Sequence, residues 1–179
     1  IEAGLFEGWD DPRLPTISAL KNRGITSEAL RQFWIELGVT QKDISVPLAT
    51  LYSHNTKQID DDAPRISFIR NPVKLQLSGE HQNSVTTSVH PNHESMGTRT
   101  FDVSNHTVLI EKEDINKPKL RLKEFADFDL EGNSAKFVSQ PRSDKRPIVH
   151  WISETDSHEA KLIYPEKTFA LIYASQALA

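Results

Sequence analysis

The spacing of apolar residues changes once along this chain of 179 residues, close to Pro64. Before that point apolar side chains recur at helical spacing, and after it they form short runs bounded by Pro, Gly, Asn and Asp, which is typical of strands. A block of helices followed by a block of strands predicts an α+β fold. We therefore expect a small N-terminal helical unit at 1–62 and antiparallel β-structure at 63–179.

Three helices are predicted in the first unit, at 16–24, 26–38 and 47–59, with a capped turn at 40–43. The first two begin at a threonine, whose hydroxyl can accept a hydrogen bond from the unpaired N–H groups of the first helical turn. The second helix ends at a glycine and the third opens with a proline, and these residues are favoured at those ends of a helix.

The second part contains seven predicted strands with no helical pattern between them, which is typical of an antiparallel sandwich or barrel. The strands are expected at 66–69, 73–77, 107–110, 120–128, 135–138, 148–152 and 160–164. The sequence Glu-Gly-Asn-Ser at 131–134 predicts a hairpin turn between two of them.

The run at 8–17 is a segment of another kind, because its two prolines fix two φ angles and remove two backbone donors. Such a run is excluded from the interior of a helix or of a central strand, so we expect a stiff connector. In this interpretation Trp9 fills part of a core, and Asp11 caps a turn that begins at Pro12.

The formal net charge of −4 argues against a uniformly basic nucleic-acid binder, but the charge is unevenly distributed. Residues 1–62 hold ten acidic and six basic side chains, whereas residues 63–179 hold fifteen of each. At 119–123 an alternating pattern places three cations on one face of a strand and two leucines on the other. This basic strip is either a solvated outer face or a surface for phosphate.

The sequence contains none of the common local signatures of catalysis and no cysteine. No apolar run is long enough for a membrane span and no signal peptide is recognisable, so we expect a cytoplasmic location. His90 and His93 have a spacing that two metal ligands could use, but nothing in the sequence completes a site, so no metal is expected. His150, next to Trp151 in an apolar run, is expected to be a core histidine.

Several ordered blocks of the sequence resemble the glutamyl- and glutaminyl-tRNA synthetase family of class I. The blocks lie at 7–17 followed by 21–25, at 31–33 with 37–39, at 63–65 with 71–75, at 90–92 with 96–99, and at 148–152. The first of them contains the string GWDDPRLPTI. The blocks occur in the order found in the family, and this combination is far more specific than any one of them.

The resemblance implies a particular fold for the second part, which is a pair of anticodon-binding β-barrels. The proximal barrel would take about 63–115 and 150–179, and the distal barrel about 116–149. Such barrels belong to the archaeal and eukaryotic glutamyl enzymes and to the glutaminyl enzymes. Short loops around 116–119 lead us to expect the archaeal and eukaryotic glutamyl type, with a glutaminyl enzyme as the alternative within the family. A non-catalytic β-barrel interaction module is the alternative outside it.

The resemblance also implies a function. The parent enzyme would be a glutamate–tRNA ligase that uses ATP and Mg²⁺ to join glutamate to tRNA(Glu), and this chain would be its tRNA-binding part. The catalytic domain would precede Ile1 and a closing barrel segment would follow Ala179, so we expect no catalytic residue and no cofactor within the chain. No DNA or membrane partner is expected, and a monomer is favoured.

By the same resemblance, Arg65 matches an arginine that contacts an anticodon base. A guanidinium suits that role because its planar donors can pair with a base or stack on it, although an ion pair with the acidic run 60–62 is the alternative. Contacts to tRNA phosphates are expected from two basic groups, which are Lys117, Lys119, Arg121 and Lys123, and then Arg142, Lys145 and Arg146.

Overall fold

The computed structural model describes residues 4–38, 47–140, 144–163 and 168–175, and from Ile163 onward it describes the backbone only. The capped turn predicted at 40–43 and the predicted site residue Arg142 lie outside the described residues. The chain divides into two compact units, one built on the residues up to Ala63 and the other built on Pro64–Leu162.

Three helices form the first unit, and they are α1 (Ile17–Asn22), α2 (Ser27–Leu37) and α3 (Leu48–Ile59). Thr16 accepts a hydrogen bond from the Ala19 N–H at the start of α1, and Thr26 accepts one from the Ala29 N–H at the start of α2. Helix α2 ends at Gly38, whose φ of 66° a glycine adopts without strain. The three predicted helices and the two predicted caps are confirmed. None of the described helices is long and apolar enough to cross a membrane.

The helical unit has its own small apolar core, centred on Ile25, Phe33 and Leu51. Partly buried leucines complete it, and they are Leu20, Leu30 and Leu37. Because the apolar positions of α2 and α3 recur at helical spacing, each helix turns one stripe toward the other and leaves its polar side chains outside.

One buried polar side chain, Asn55 of α3, links these helices. Its Oδ1 accepts a hydrogen bond from the Thr26 N–H at 2.9 Å, and its amide group donates to the Gly24 carbonyl at 3.0 Å. A buried amide without partners would cost free energy, so both of these bonds are needed for Asn55 to be stable at this site. Asn55 therefore fixes the segment that enters α2 against α3.

The connector at 8–17 is organised around Asp11, which is almost completely buried. The Asp11 carboxylate accepts hydrogen bonds from the backbone N–H groups of Glu7 and Arg13 and from the Arg13 guanidinium. The hydrogen bonds from Arg13 hold the pKa of the Asp11 carboxyl well below its usual range. The Leu14 N–H donates to the Asp11 carbonyl, which confirms the predicted turn at Pro12.

Trp9 does not fill a core, so this part of the sequence interpretation is wrong: the residue is 72% exposed. The backbone of Trp9 and Asp10 is held by two hydrogen bonds. The Thr16 hydroxyl donates to the Trp9 carbonyl, and the Asn22 amide donates to the Asp10 carbonyl. The buried side chain of this connector is Asp11, and the indole ring lies at the surface.

Twelve strands lie among the described residues after Pro64. They are β1 (Phe68–Arg70), β2 (Pro72–Ser78), β3 (Ser84–Ser88), β4 (Thr98–Asp102), β5 (Thr107–Glu111), β6 (Lys119–Leu122), β7 (Asp127–Glu131), β8 (Ser134–Ser139), β9 (Ile148–Val149), β10 (Ile152–Ser153), β11 (Ser157–Ile163) and β12 (Thr168–Ser175). Seven of them form one sheet in the order β10-β5-β2-β8-β7-β6-β9. The strands β1, β12 and β11 form a second sheet, and β3 pairs with β4. The fold is therefore α+β, as predicted.

The observed strands are more numerous than the predicted ones, and two of the predicted strands are divided. The predicted strand at 120–128 is two strands, β6 and β7, joined by a tight turn, and the predicted strand at 148–152 is the pair of short strands β9 and β10. The sequence does not predict β3 and β4, because serine, threonine and charged residues weaken the apolar alternation there. It also does not predict β12, which is a nearly continuous apolar run without a period of two.

The large sheet is mixed, which corrects the prediction of an antiparallel one. β2 runs parallel to β8, and β6 runs parallel to β9, while the other pairs of this sheet for which a register is given are antiparallel. Parallel neighbours are joined by connections that leave the sheet and return, so the order of strands along the chain does not disclose them. The hairpin at 131–134 is confirmed, since Glu131 pairs with Ser134 across Gly132, which has a φ of 59°.

The main core of the second unit lies on one face of the large sheet. Its fully buried members include Leu75, Val108, Ile110, Leu120, Leu122 and Phe128. Phe125 and Trp151 close one end of this cluster, and their ring centroids lie 5.2 Å apart. Aromatic pairs at this separation stabilise a core beyond the area that they bury.

Replacing Asn55 with alanine is expected to lower the free energy of unfolding by about 1 to 3 kcal/mol, because the Thr26 N–H and the Gly24 carbonyl lose their partner and the buried side chain leaves a gap. Gln58→Ala on the exposed side of the same helix is the control, with an expected change below about 0.5 kcal/mol. Urea unfolding followed by circular dichroism measures both. Equal losses from the two variants would contradict the role of Asn55.

Candidate nucleic-acid interface

A surface cleft in the second unit, which we call the basic cleft, brings together three cations, one carboxylate and two aromatic rings. The cations are Arg65, Arg99 and Lys123, the carboxylate is Glu124, and the rings are Phe101 and Trp151. An excess of positive charge suits a strand of nucleic acid, because cations attract its phosphates, and a partly exposed ring such as Phe101 offers a surface for a base.

The residues of the basic cleft come from segments that are far apart in the sequence. Arg65 precedes β1, Arg99 lies in β4, Lys123 follows β6, and Trp151 lies between β9 and β10. Three of the blocks that carry the family resemblance, at 63–65, 96–99 and 148–152, therefore contribute to one site.

The backbone of Arg65 is held on both sides. Its N–H donates to the Val89 carbonyl at 2.9 Å, and its carbonyl accepts a hydrogen bond from the Arg99 guanidinium at 2.8 Å. The Arg65 residue is exposed and lines the cleft. The residue with a predicted anticodon contact thus lies where a ligand can reach it, and the contact itself stays a prediction.

Lys123 lies in the tight turn between β6 and β7 and is exposed. Its N–H donates to the Val149 carbonyl at 3.0 Å, and its carbonyl accepts a hydrogen bond from the Trp151 indole N–H at 2.9 Å. The next residue, Glu124, has a φ of 57°, and one of its carboxylate oxygens accepts a hydrogen bond from the Ser88 N–H at 3.4 Å. The turn that carries Lys123 is therefore fastened to two neighbouring segments.

His150 is exposed and lines the basic cleft, so the prediction of a core histidine is wrong. Val149 and Trp151, on either side of it, are buried. In an extended segment successive side chains point to opposite faces, so burial of the two neighbours directs His150 outward. The core residue of this block is Trp151, whose ring also lies 5.8 Å from the ring of Phe101.

Sequence reasoning misses Arg99, Phe101 and Glu124 as residues of the cleft. Arg99 belongs to a block that carries the family resemblance, and this is the signal that could have found it. Phe101 and Glu124 have no such signal, because β4 is not predicted and the turn at Glu124 is hidden within one long predicted strand.

The basic strip at 119–123 has the predicted alternation, since Leu120 and Leu122 are fully buried. Two of its cations bind carboxylates of the chain itself. Lys119 donates to Asp144 at 2.9 Å, and Arg121 makes two hydrogen bonds, of 2.6 and 3.0 Å, to the buried Asp127. These hydrogen bonds to Asp127 raise the pKa of Arg121. Whether these cations also contact phosphate stays a prediction.

The other predicted phosphate contacts divide into paired and exposed side chains. Lys117 pairs with Asp114, while Lys145 is exposed. The Arg146 side chain is only 5% exposed and donates to the Phe128 carbonyl at 2.7 Å and to Asp129 at 2.6 Å. Arg146 also bonds to an oxygen of Asp144, so its charge is engaged within the fold.

His90 and His93 lie close together, with ring centroids 4.6 Å apart. His90 is buried, and its Nδ1 accepts a hydrogen bond from the Asn92 N–H at 3.1 Å. In the part of the chain that the structure describes, no group of three or more His, Cys, Asp or Glu side chains is placed to hold a metal ion.

Residues 63–140 match the model of a known family described as tRNA synthetases class I (E and Q), anti-codon binding domain. The matched stretch contains all three cations of the basic cleft. Residues 63–140 therefore belong to this family as an anticodon-binding domain.

The chain is similar to several glutamate–tRNA ligases. The chain is 38% identical over 177 residues to the glutamate–tRNA ligase of Methanosarcina acetivorans, a match that covers 93% of this chain and 31% of the relative. It is 33% identical over 178 residues to that of Archaeoglobus fulgidus, with 96% of this chain and 32% of the relative covered. The chain spans about a third of the length of the curated relatives that it matches.

Replacing Arg146 with alanine is expected to lower the free energy of unfolding by about 2 to 3 kcal/mol, the size of charge-assisted hydrogen bonds lost from a buried site. The neighbouring Lys145→Ala removes the same charge from an exposed position and should change the free energy by less than about 0.5 kcal/mol. Urea unfolding followed by tryptophan fluorescence distinguishes them. A stable Arg146→Ala protein would show that its contacts do not support the fold.

Proposed function

We propose that this chain is the tRNA-binding, anticodon-recognising part of a glutamate–tRNA ligase, with tRNA(Glu) as its partner. The observation that carries the proposal is the basic cleft, whose cations lie within the stretch that matches the anticodon-binding domain. The names of the relatives support glutamate as the amino acid. A glutaminyl enzyme is the alternative within the family.

In this proposal the chain has two functional regions. Residues 1–62 are a helical unit that contacts the stems of the tRNA, and residues 63–179 carry the anticodon-binding β-barrels. The proximal barrel takes about 63–115 and 150–179, and the distal barrel takes about 116–149. The seven-stranded sheet and the two smaller sets of strands supply the elements for such barrels.

Arg65 is proposed to read one base of the anticodon. The bases of an anticodon loop are single-stranded, so side chains can reach pairing edges and ring faces that a duplex conceals. A guanidinium offers a planar fork of donors, which a lysine lacks. The hydrogen bonds that hold the Arg65 backbone to Val89 and Arg99 support this role, because a fixed backbone reduces the cost of placing the side chain.

Lys123 is proposed to bind a phosphate near that base, since it is exposed in the same cleft. The remaining predicted phosphate contacts are also part of the proposal, and they are Lys117, Lys119, Arg121, Arg142, Lys145 and Arg146. An internal carboxylate offsets the charge of a paired cation, so Lys123 and Lys145 should contribute more to salt-dependent binding than Arg121 or Arg146.

The ligase reaction is proposed for the complete protein and not for this chain. Glutamate would be activated with ATP and Mg²⁺ and transferred to the tRNA by the part of the relatives that this chain does not match. The residues of this chain would bind and orient the tRNA during that reaction. A cytoplasmic location and a monomeric state belong to the same proposal.

The chain is expected to bind tRNA(Glu) with an affinity that falls steeply with salt, because each cation that neutralises a phosphate releases counterions. It is also expected to form no glutamyl adenylate. Filter binding at 50 and 200 mM salt and a pyrophosphate-exchange assay measure the two properties. Absence of salt-dependent binding would favour a protein-interaction module. Detectable pyrophosphate exchange would contradict the proposal that this chain binds tRNA without catalysing the activation of glutamate.

Arg65→Ala is expected to remove about 1 to 3 kcal/mol from the difference in binding free energy between tRNA(Glu) and the same tRNA with a substituted anticodon base, the size of one good base contact. Arg70→Ala is the control, because Arg70 is an exposed arginine of the same segment that bonds to Glu111 outside the cleft. If Arg65→Ala weakened the binding of both tRNAs equally, Arg65 would contact tRNA without distinguishing the anticodon base.

A further inference from the structure

Val149 and Trp151, which flank His150, hold the peptide groups on both sides of Lys123. The Val149 carbonyl accepts a hydrogen bond from the Lys123 N–H at 3.0 Å, and the Trp151 indole N–H donates to the Lys123 carbonyl at 2.9 Å. The hydrogen bond to Val149 joins two backbone groups, so most side chains at these positions would permit it. The second depends on the indole of one particular side chain.

The turn held in this way has an unfavourable backbone conformation. Glu124 adopts a φ of 57°, a region that residues other than glycine rarely occupy because the side chain crowds the backbone. The neighbouring hydrogen bond from Phe125 to the Leu122 carbonyl closes the turn at 3.0 Å. A turn of this kind keeps its shape only where surrounding contacts determine it, and the indole N–H of Trp151 is one of those contacts.

Trp151 itself is poorly placed to bind a ligand. The residue is 7% exposed, its ring packs against Phe101 and Phe125, and its single N–H group already donates to Lys123. An indole has one donor, so Trp151 has no further hydrogen bond to offer. Any influence on a ligand in the basic cleft must pass through the residues that it holds.

Lys123 differs from the two other cations of the basic strip in how it is oriented. Lys119 and Arg121 are held by the carboxylates of Asp144 and Asp127. The Lys123 ammonium forms no ion pair with any residue that the structure describes, so the fixed part of this residue is its backbone, from which the flexible side chain extends. The contacts that fix this backbone therefore limit the region beside Arg65 that the charge can reach.

We propose that Trp151 is a positioning residue for nucleic-acid binding, and that its indole N–H holds the Lys123 turn so that the Lys123 ammonium meets a phosphate beside Arg65. The inference rests on the proposed binding of tRNA. It adds to that proposal a buried residue that acts through Lys123 without touching the tRNA.

The test is a double-mutant cycle on the full chain with Trp151→Phe and Lys123→Met, in which the dissociation constant for tRNA(Glu) is measured at several salt concentrations. Lys123→Met should lower the slope of log affinity against log salt by about 1, the loss of one phosphate contact. Trp151→Phe removes the N–H and keeps an aromatic ring, and it should lower the slope by a large part of that amount. The double variant should bind no more weakly than Lys123→Met alone.

Phe125→Leu is the matched control, because it alters the same aromatic core and leaves the indole N–H in place. It should lower the melting temperature without changing the salt slope. If Trp151→Phe does not fold, benzothienylalanine at the same position replaces the N–H with sulfur in a ring of similar shape, and the cycle is repeated with it.

The outcomes separate this inference from the function on which it rests. Steep salt dependence in the unmodified chain and a reduced slope for Lys123→Met, with an unchanged slope for Trp151→Phe, would overturn the role of Trp151 and leave tRNA binding intact. Additive losses from the two changes would also overturn it. A flat salt dependence in the unmodified chain would overturn tRNA binding itself, and with it this inference.

Discussion

The second unit depends on the alternation of side chains along β6, which buries one face of the strand and turns the other outward. Leu120 and Leu122 are fully buried, and Lys119 and Arg121 alternate with them on the opposite face. Burial of each leucine contributes about 1.5 to 3 kcal/mol, whereas the partly exposed Lys119–Asp144 ion pair contributes at most about 1 kcal/mol. A shift of the strand by one residue would turn both leucines to the outer face, so their burial favours the observed register. The cations occupy the positions that this register leaves.

Part of the positive charge that the sequence displays is required by the fold itself. Asp127 at the start of β7 is completely buried, and a buried carboxylate is stable only with partners. Arg121 supplies two hydrogen bonds to Asp127, and Arg146 is engaged with Asp129 and Asp144 nearby. A count of lysine and arginine residues therefore overestimates the charge that the protein can offer to a ligand.

The basic cleft shows a second way of placing cations. Arg65 and Lys123 are positioned through their backbones, by hydrogen bonds from the Arg99 guanidinium and the Trp151 indole. Their side chains are exposed, while the contacts that fix them lie behind. This arrangement gathers positive charge at one place on the surface, so a chain with a net charge of −4 can still carry a locally basic cleft.

Features that depend on near neighbours could be predicted from the amino-acid sequence, because caps and tight turns are formed by residues a few positions apart. The caps of α1 and α2 and the hairpin at 131–134 are of this kind, and short ordered blocks were sufficient to indicate the family. The tertiary structure alone decided the parallel strand pairs, the exposure of Trp9 and His150, and the assembly of the cleft. These features depend on contacts between distant segments, such as the bond from Trp151 to Lys123, and no local pattern of side chains encodes which segments meet.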